Sequence, residues 1–368
     1  MKTSVFPPDT LSTEEIPTPT RHQQSPASRS IPSLYVLKAI CAFFVVVQHI
    51  HLAFCRHIKP ITTTAVLVFF IITGYFLYVK AREKGERSVL AHLFKHALII
   101  TVVVNVIAFI YHYLVMGNVE ELLRLTPIKF IVIHRSGIYY SYWYLRTLCA
   151  SLFILYLLYR FVPCKVMDWL MSYLPILFVG SVLMGSYCSI LNISPHQGYL
   201  YHNALVVGIP CIATGYLIAK HEQTLICSCW ASVGCLLLLA FGSCVERKVA
   251  AILFSPMGNE YWFLTLPLAA SMVLVCLKYR AWGPHSLVNI GKYHSANIYY
   301  LHVGVLETLR LYSPALLAFP VVQELQALLV FLLCIPLSMV INLVSHRLTA
   351  ILSRNKPQKS PQTEQDKP

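Results

Sequence analysis

The chain has 368 residues, of which 57% are hydrophobic and only 12% charged, with a formal net charge of +14. An ordinary soluble domain carries about a quarter charged residues, so this composition excludes one and points to a polytopic membrane protein. The basic residues lie between apolar segments and not along one soluble face, which reads as membrane topology and not as a nucleic-acid partner.

Residues 1–31 are rich in Pro, Ser and Thr without apolar periodicity and are expected to form a disordered cytoplasmic tail. They lack the basic start, short apolar core and cleavage site of a signal peptide, so the first span reads as an uncleaved anchor. The transmembrane domain is expected over 32–348 and a second disordered cytoplasmic tail over 349–368. A hydrocarbon core of about 30 Å requires about 20 apolar residues per helix. Ten such spans are predicted, at 33–55, 62–79, 96–116, 143–162, 168–187, 203–219, 224–243, 261–278, 288–309 and 323–347. The expected fold is an all-α polytopic membrane helical bundle of about ten transmembrane helices. An even number puts both termini on one side, and that side's loops hold more than twice as many Lys and Arg as the other's. Both termini are therefore expected in the cytoplasm. The long loop 117–142 is expected to carry a short interfacial helix from Pro127 to Ile133. No internal repeat is visible, which disfavours a repeat-built transporter.

Within this apolar frame, a few polar side chains call for explanation. The first span holds Lys38, Gln48, His49 and His51, and groups of this kind at membrane depth are by default functional candidates. Lys38 and His49 are eleven residues apart, close to three turns, so they share one helix face about 16 Å apart along the axis. Snorkelling to the headgroups is the plain alternative for Lys38, and an interior hydrogen-bonded His the alternative for His49. The second span carries Phe69, Phe70, Thr73, Gly74 and Tyr75, where Gly74 permits close helix approach and Thr73 offers a hydroxyl. The basic group Arg82, Lys84, Arg87, Lys95 with His92 and His96 fits the positive-inside rule and would equally attract a phosphorylated ligand. Tyr139, Tyr140, Tyr142, Trp143 and Tyr144 read either as an interfacial aromatic belt or as a sugar-stacking surface. Arg146, one turn further in, suits an anionic group. In the ninth span His302 follows Tyr299 and Tyr300, and Glu307 is a candidate carboxylate partner. The twelve cysteines show no paired zinc spacing, and Cys188 with Cys244 leaves one disulfide open. No G-x-S-x-G elbow, P-loop or metal-ligand cluster occurs.

A basic residue and a His separated by ten residues, then Phe69-Phe70-x-x-Thr73-Gly74-Tyr75, Trp143-Tyr144-Leu145 and Ile298-Tyr299-Tyr300-Leu301-His302 in that order, resemble the acyltransferase family 3 membrane proteins. The resemblance extends from about Leu34 to Leu348. It departs at Thr73, where the family usually has Ser, and in lacking an Arg-x-x-Arg pair after the second helix, for which Lys95-His96 is a loose substitute. What it implies is an O-acyltransferase of a bacterial-type inner membrane, using acyl-CoA, by expectation acetyl-CoA, as co-substrate without a permanently bound cofactor. The acceptor would be a hydroxyl of a cell-surface carbohydrate or its lipid-linked precursor. His49 is then the catalytic base, a role suited to an imidazole with a near-neutral pKa. Thr73 or Tyr75 would hydrogen-bond the oxyanion. Lys38, Arg82 and Lys95 would meet the donor, and Trp143, Arg146, Tyr299 and His302 would line the substrate path. A transporter or flippase of an anionic or lipid-linked sugar is the alternative. A scaffold without chemistry would leave the intramembrane His residues unused.

Overall fold

The computed structural model describes residues 30–50, 52, 57–117, 141–192, 201–254 and 261–354. Among these, 86% are helical and none lies in a strand. Helix α1 spans Pro32–His49, with Pro32 at the first helical position, where its missing N–H costs nothing. A short α2 (Lys59–Thr62) leads into α3 (Thr64–Lys84), and Gly85, at φ 75°, turns the chain into α4 (Glu86–Tyr111). After the stretch outside the described residues come α5 (Trp143–Phe161) and α6 (Cys164–Tyr173), then a 3-10 turn containing Pro175 and α7 (Phe178–Met184). Next are α8 (Ile209–Lys220), α9 (Glu222–Cys227), α10 (Val233–Phe254) and α11 (Thr265–Lys278). The last helices are α12 (His285–Asn289), α13 (Ser295–Tyr312), α14 (Pro314–Ala318) and α15 (Pro320–Arg354).

Among the described residues, six segments are long and apolar enough to cross a bilayer: Pro32–His49, Lys59–Lys84, Glu86–Val115, Trp143–Phe161, Cys164–Met184 and Pro320–Arg347. They coincide with the first five and the last of the ten predicted spans. The other four fall short for physical reasons. The segments at 204–220 and 265–278 are apolar but short, and the segment predicted at 224–243 is interrupted between α9 and α10. The ninth is helical, with Glu307 and Arg310 in its last part. The first span is also shorter than expected, because α1 stops at His49 and not at residue 55.

Burial sorts the helices into centre and periphery. In the segment containing α3, 61% of the most apolar stretch is buried, against 11% for α4 and 22% for α15. The exposed faces of α4 and α15 are apolar, as a lipid-facing surface requires. At the centre, α3 crosses α8 through reciprocal glycines. A Cβ on Gly74 would collide with the Ile212 carbonyl, and one on Gly215 with the Ile71 carbonyl. The start of α1 is fixed by the Ser33 hydroxyl, which donates to the Cys276 carbonyl at 2.6 Å. Asn297 on α13 donates to Ser338 and Asn342 on α15, both at 2.9 Å, which holds that peripheral helix on.

The open disulfide is not formed, since Cys188 and Cys244 are both free. The interfacial helix expected at Pro127–Ile133, Tyr139, Tyr140, His51 and nearly all of both tails lie outside the described residues.

Candidate active site in the helical bundle

His49 is the last residue of α1, on a turn tied down by the Gln48 side chain, whose amide donates to the Thr62 hydroxyl on α2. Unpaired carbonyls at a helix C-terminus favour positive charge there, such as an imidazolium. The His49 ring lines a cavity of 170 Å³, with Gln48, Lys59, Thr62, Trp143, His202, Tyr261 and Tyr299 among the other walls. Trp143 and His202 stack with ring centroids 4.3 Å apart and an interplanar angle of 11°, and Tyr261 stands 5.5 Å from His202. The cavity is thus polar on the His49 side and flat and aromatic on the other.

Behind His49 lies His302, fully buried, with ring centroids 5.1 Å apart. His302 Nδ1 is 2.8 Å from the Tyr299 carbonyl. A carbonyl only accepts, so Nδ1 carries the proton and Nε2 of the neutral ring holds the lone pair. That Nε2 is buried and has no hydrogen-bond partner among the described residues. Tyr299 is itself fixed, its hydroxyl donating to the Ser141 carbonyl. Glu307 does not serve these imidazoles, because it pairs with Arg310 at 2.8 Å.

Lys38 lies toward the opposite end of α1. Its ammonium sits 5.9 Å from the centroid of Tyr35, and it is in no ion pair among the described residues. Tyr75 belongs to the same end. Its hydroxyl donates to Glu222 at 2.8 Å and accepts from Arg280 at 3.0 Å, while Arg280 also pairs with Glu222. Burial works against the charge of Arg280, but the hydrogen bond from Glu222 and the neighbouring Tyr75 outweigh it and raise the pKa. Tyr75 is nine residues along α3 from Val66, a lining residue of the His49 cavity, or about 14 Å. The structure therefore does not bring Tyr75 to the imidazole it was expected to assist. Arg82 and Lys95 are exposed.

Thr73 lies between the two ends. Its hydroxyl donates to the Phe69 carbonyl at 2.9 Å, and it lies near Tyr144, whose ring packs 5.5 Å from Tyr299. Arg146 is absent from the His49 cavity and lines a separate one between α4 and α5. Of the ten sequence-derived residues, the structure gathers His49, Trp143, Tyr299 and His302 and places Lys38, Tyr75 and Arg82 toward the far end.

Several members of these clusters were not singled out from sequence. His202 had a signal, since Tyr199-Leu200-Tyr201-His202 precedes an apolar segment as the 139–144 aromatic run does. Tyr261 and Lys59 had none beyond lying at segment edges. Glu222 and Arg280 read as ordinary loop charges until the fold joined them across 58 residues.

These features define a class: a multi-pass membrane protein with a pair of imidazoles facing and backing a cavity of the helical bundle. The acyltransferase family 3 model, an acyltransferase domain, matches residues 31–347, and the chain belongs to that family. It is thus a membrane acyltransferase by family. Comparison with curated proteins and with solved structures gives no match.

Proposed function

We propose that the protein transfers an acyl group, acetyl in the first instance, from acyl-CoA to a hydroxyl of a cell-surface carbohydrate or its lipid-linked precursor. The observation that carries this reading is the His49–His302 pair beside an aromatic-walled cavity, with Lys38 eleven residues down the same helix. His49 faces the cavity and acts as general base. It takes the acceptor's hydroxyl proton as that oxygen attacks the thioester carbonyl. Collapse of the tetrahedral intermediate breaks the C–S bond, and the imidazolium returns its proton to the departing CoA thiolate. Ester and free CoA are the products, and no protein nucleophile is consumed.

His302 is a positioning residue in this mechanism. With Nδ1–H held by the Tyr299 carbonyl, its Nε2 accepts a proton shared with His49, so that the other nitrogen of His49 acts as the base. Gln48 and Lys59 line the cavity and are the donors placed to stabilise the oxyanion, a task that Tyr75 is too distant to perform. The Trp143–His202 stack and Tyr261 offer flat faces to the C–H side of a sugar ring. Lys38, about 16 Å away, offers a point charge to the donor's phosphates while its thin pantetheine arm reaches the cavity. Both termini and the donor face are assigned to the cytoplasm.

The test is thermal unfolding of the purified protein with acetyl-CoA or a glycan lipid added separately, together with mass spectrometry of surface glycans from cells with and without the gene. A ligand at 100 times its Kd stabilises by about 2.7 kcal/mol, so acetyl-CoA is expected to raise the midpoint and the gene to add acetyl esters. Stabilisation by glycan lipid alone, with unchanged glycans, would replace the enzyme reading with a transporter.

A further inference from the structure

The outside of α10 is apolar, with Leu237, Leu238, Phe241, Ile252 and Leu253 exposed, yet the helix carries a carboxylate at Glu246. A carboxylate among apolar neighbours is costly unless its oxygens are answered. Both of them are. The Tyr187 hydroxyl and the Phe263 amide each donate to Oε1 at 2.8 Å, and the Leu264 amide donates to Oε2 at 3.0 Å. None of these partners is a cation. Two are backbone groups just ahead of α11, where the helix dipole favours a negative charge.

The segment held in this way, 261–264, has no helical ladder of its own, so the groups that take its amides set its shape. The amides of residues 262–264 all end on side chains, since the Trp262 amide donates to the Thr265 hydroxyl at 2.8 Å. Trp262 and Phe263 also pack on the Tyr187 ring, at 5.9 and 5.0 Å. Tyr261 comes immediately before them. It is 3% exposed and lines the His49 cavity, with its ring 5.5 Å from His202 and 5.6 Å from Phe178. Glu246 is not among the residues lining that cavity, so any effect it has there passes through the turn.

We propose that Glu246 is a positioning residue for the acceptor: it clamps the 261–264 turn so that Tyr261 stays in the cavity wall, and it thereby sets acceptor affinity without touching either substrate. This inference rests on the acyl-transfer reading, in which Tyr261 offers a face to the sugar. Without the carboxylate, the Phe263 and Leu264 amides lose their acceptors, and Tyr261 occupies the wall in only a fraction of molecules. Apparent acceptor affinity falls by that fraction, and saturating acceptor restores the placed form. The donor, assigned to the Lys38 end of α1, is not affected.

The test measures acetyl transfer by the full chain in nanodiscs, with acetyl-CoA as donor and, as acceptor, the cell-envelope glycan fraction from cells lacking the gene. Glu246→Gln, which keeps the shape but turns an amide N–H toward backbone N–H, is expected to raise the acceptor KM about tenfold with donor KM and kcat nearly unchanged. That is the scale of a lost hydrogen bond to a charged group. Tyr261→Ala is expected to raise the acceptor KM as well, and the double variant to be no worse than Tyr261→Ala alone, because both act through one ring. Tyr187→Phe keeps the ring packing, removes one of the three donors and is expected to raise the acceptor KM about threefold; it decides the matter if Glu246→Gln does not fold. An unchanged acceptor KM, an equal rise in donor KM, or additive effects in the double variant would each overturn the proposal. Absence of transfer by the unaltered protein would instead overturn the acyl-transfer reading, and this inference with it.

Discussion

His49 and His302 differ in what they can touch, and the tasks proposed for them follow that difference. His49 lines the cavity, whereas His302 is wholly buried behind it. His49→Ala is therefore expected to lower turnover by about 10²-fold or more, the scale of a positioned general base, with membrane insertion and acyl-CoA binding intact. Near-normal turnover in a folded variant would remove His49 from the chemistry. For His302 the expectation is a lower kcat with an unchanged donor KM. His302→Gln should retain more activity than His302→Phe, because an amide can donate to the Tyr299 carbonyl and present an oxygen where Nε2 was. Equal loss in the two variants would reduce His302 to a packing residue. At this scale the sequence showed Lys38 and His49, since one helix sets their separation by arithmetic. It was silent on the partners of Tyr75, because Glu222 and Arg280 lie 147 and 205 residues away and are set by how helices pack.

Among the elements, α3 and its crossing with α8 show what local pattern can and cannot say. Gly74 in an apolar stretch signalled close helix approach, and α8 is what approaches it. The collision awaiting a side chain there is with backbone, so no rotamer change relieves it. Gly74→Ala is expected to destabilise by about 1–3 kcal/mol, the usual cost of overpacking, and to lower the unfolding midpoint in detergent. An unchanged midpoint would mean that the two helices can part without penalty. Hydropathy also located helices where, among the described residues, six segments meet the length and composition for crossing a bilayer, while the other four predicted spans do not meet them. A sliding apolar window does not register the interruption between α9 and α10 or the early end of α1, because it averages over breaks.

At the scale of the whole molecule, the polar residues form two groups at the two ends of α1. The proposed reaction spans the distance between them. Lys38→Ala is expected to raise the KM for acyl-CoA more than tenfold, the loss of a charge-assisted contact worth about 1.5–3 kcal/mol, while Lys38→Arg retains much activity. In sealed vesicles of known orientation, donor supplied to the cytoplasmic face alone should support transfer. Activity with donor confined to the other face would reverse the assigned topology. An unchanged donor KM in Lys38→Ala would leave the topology standing and release Lys38 from the donor.

The glycine crossing at the centre also has a bearing on inheritance. Gly74 meets a carbonyl of Ile212, and Gly215 a carbonyl of Ile71, so neither glycine faces a side chain that a second substitution could shrink. A neighbour's mutation cannot compensate for one here, and each position is constrained alone. The two should therefore show no paired changes in any set of related chains. A contact map inferred from covariation would pass over one of the tightest helix crossings in the protein.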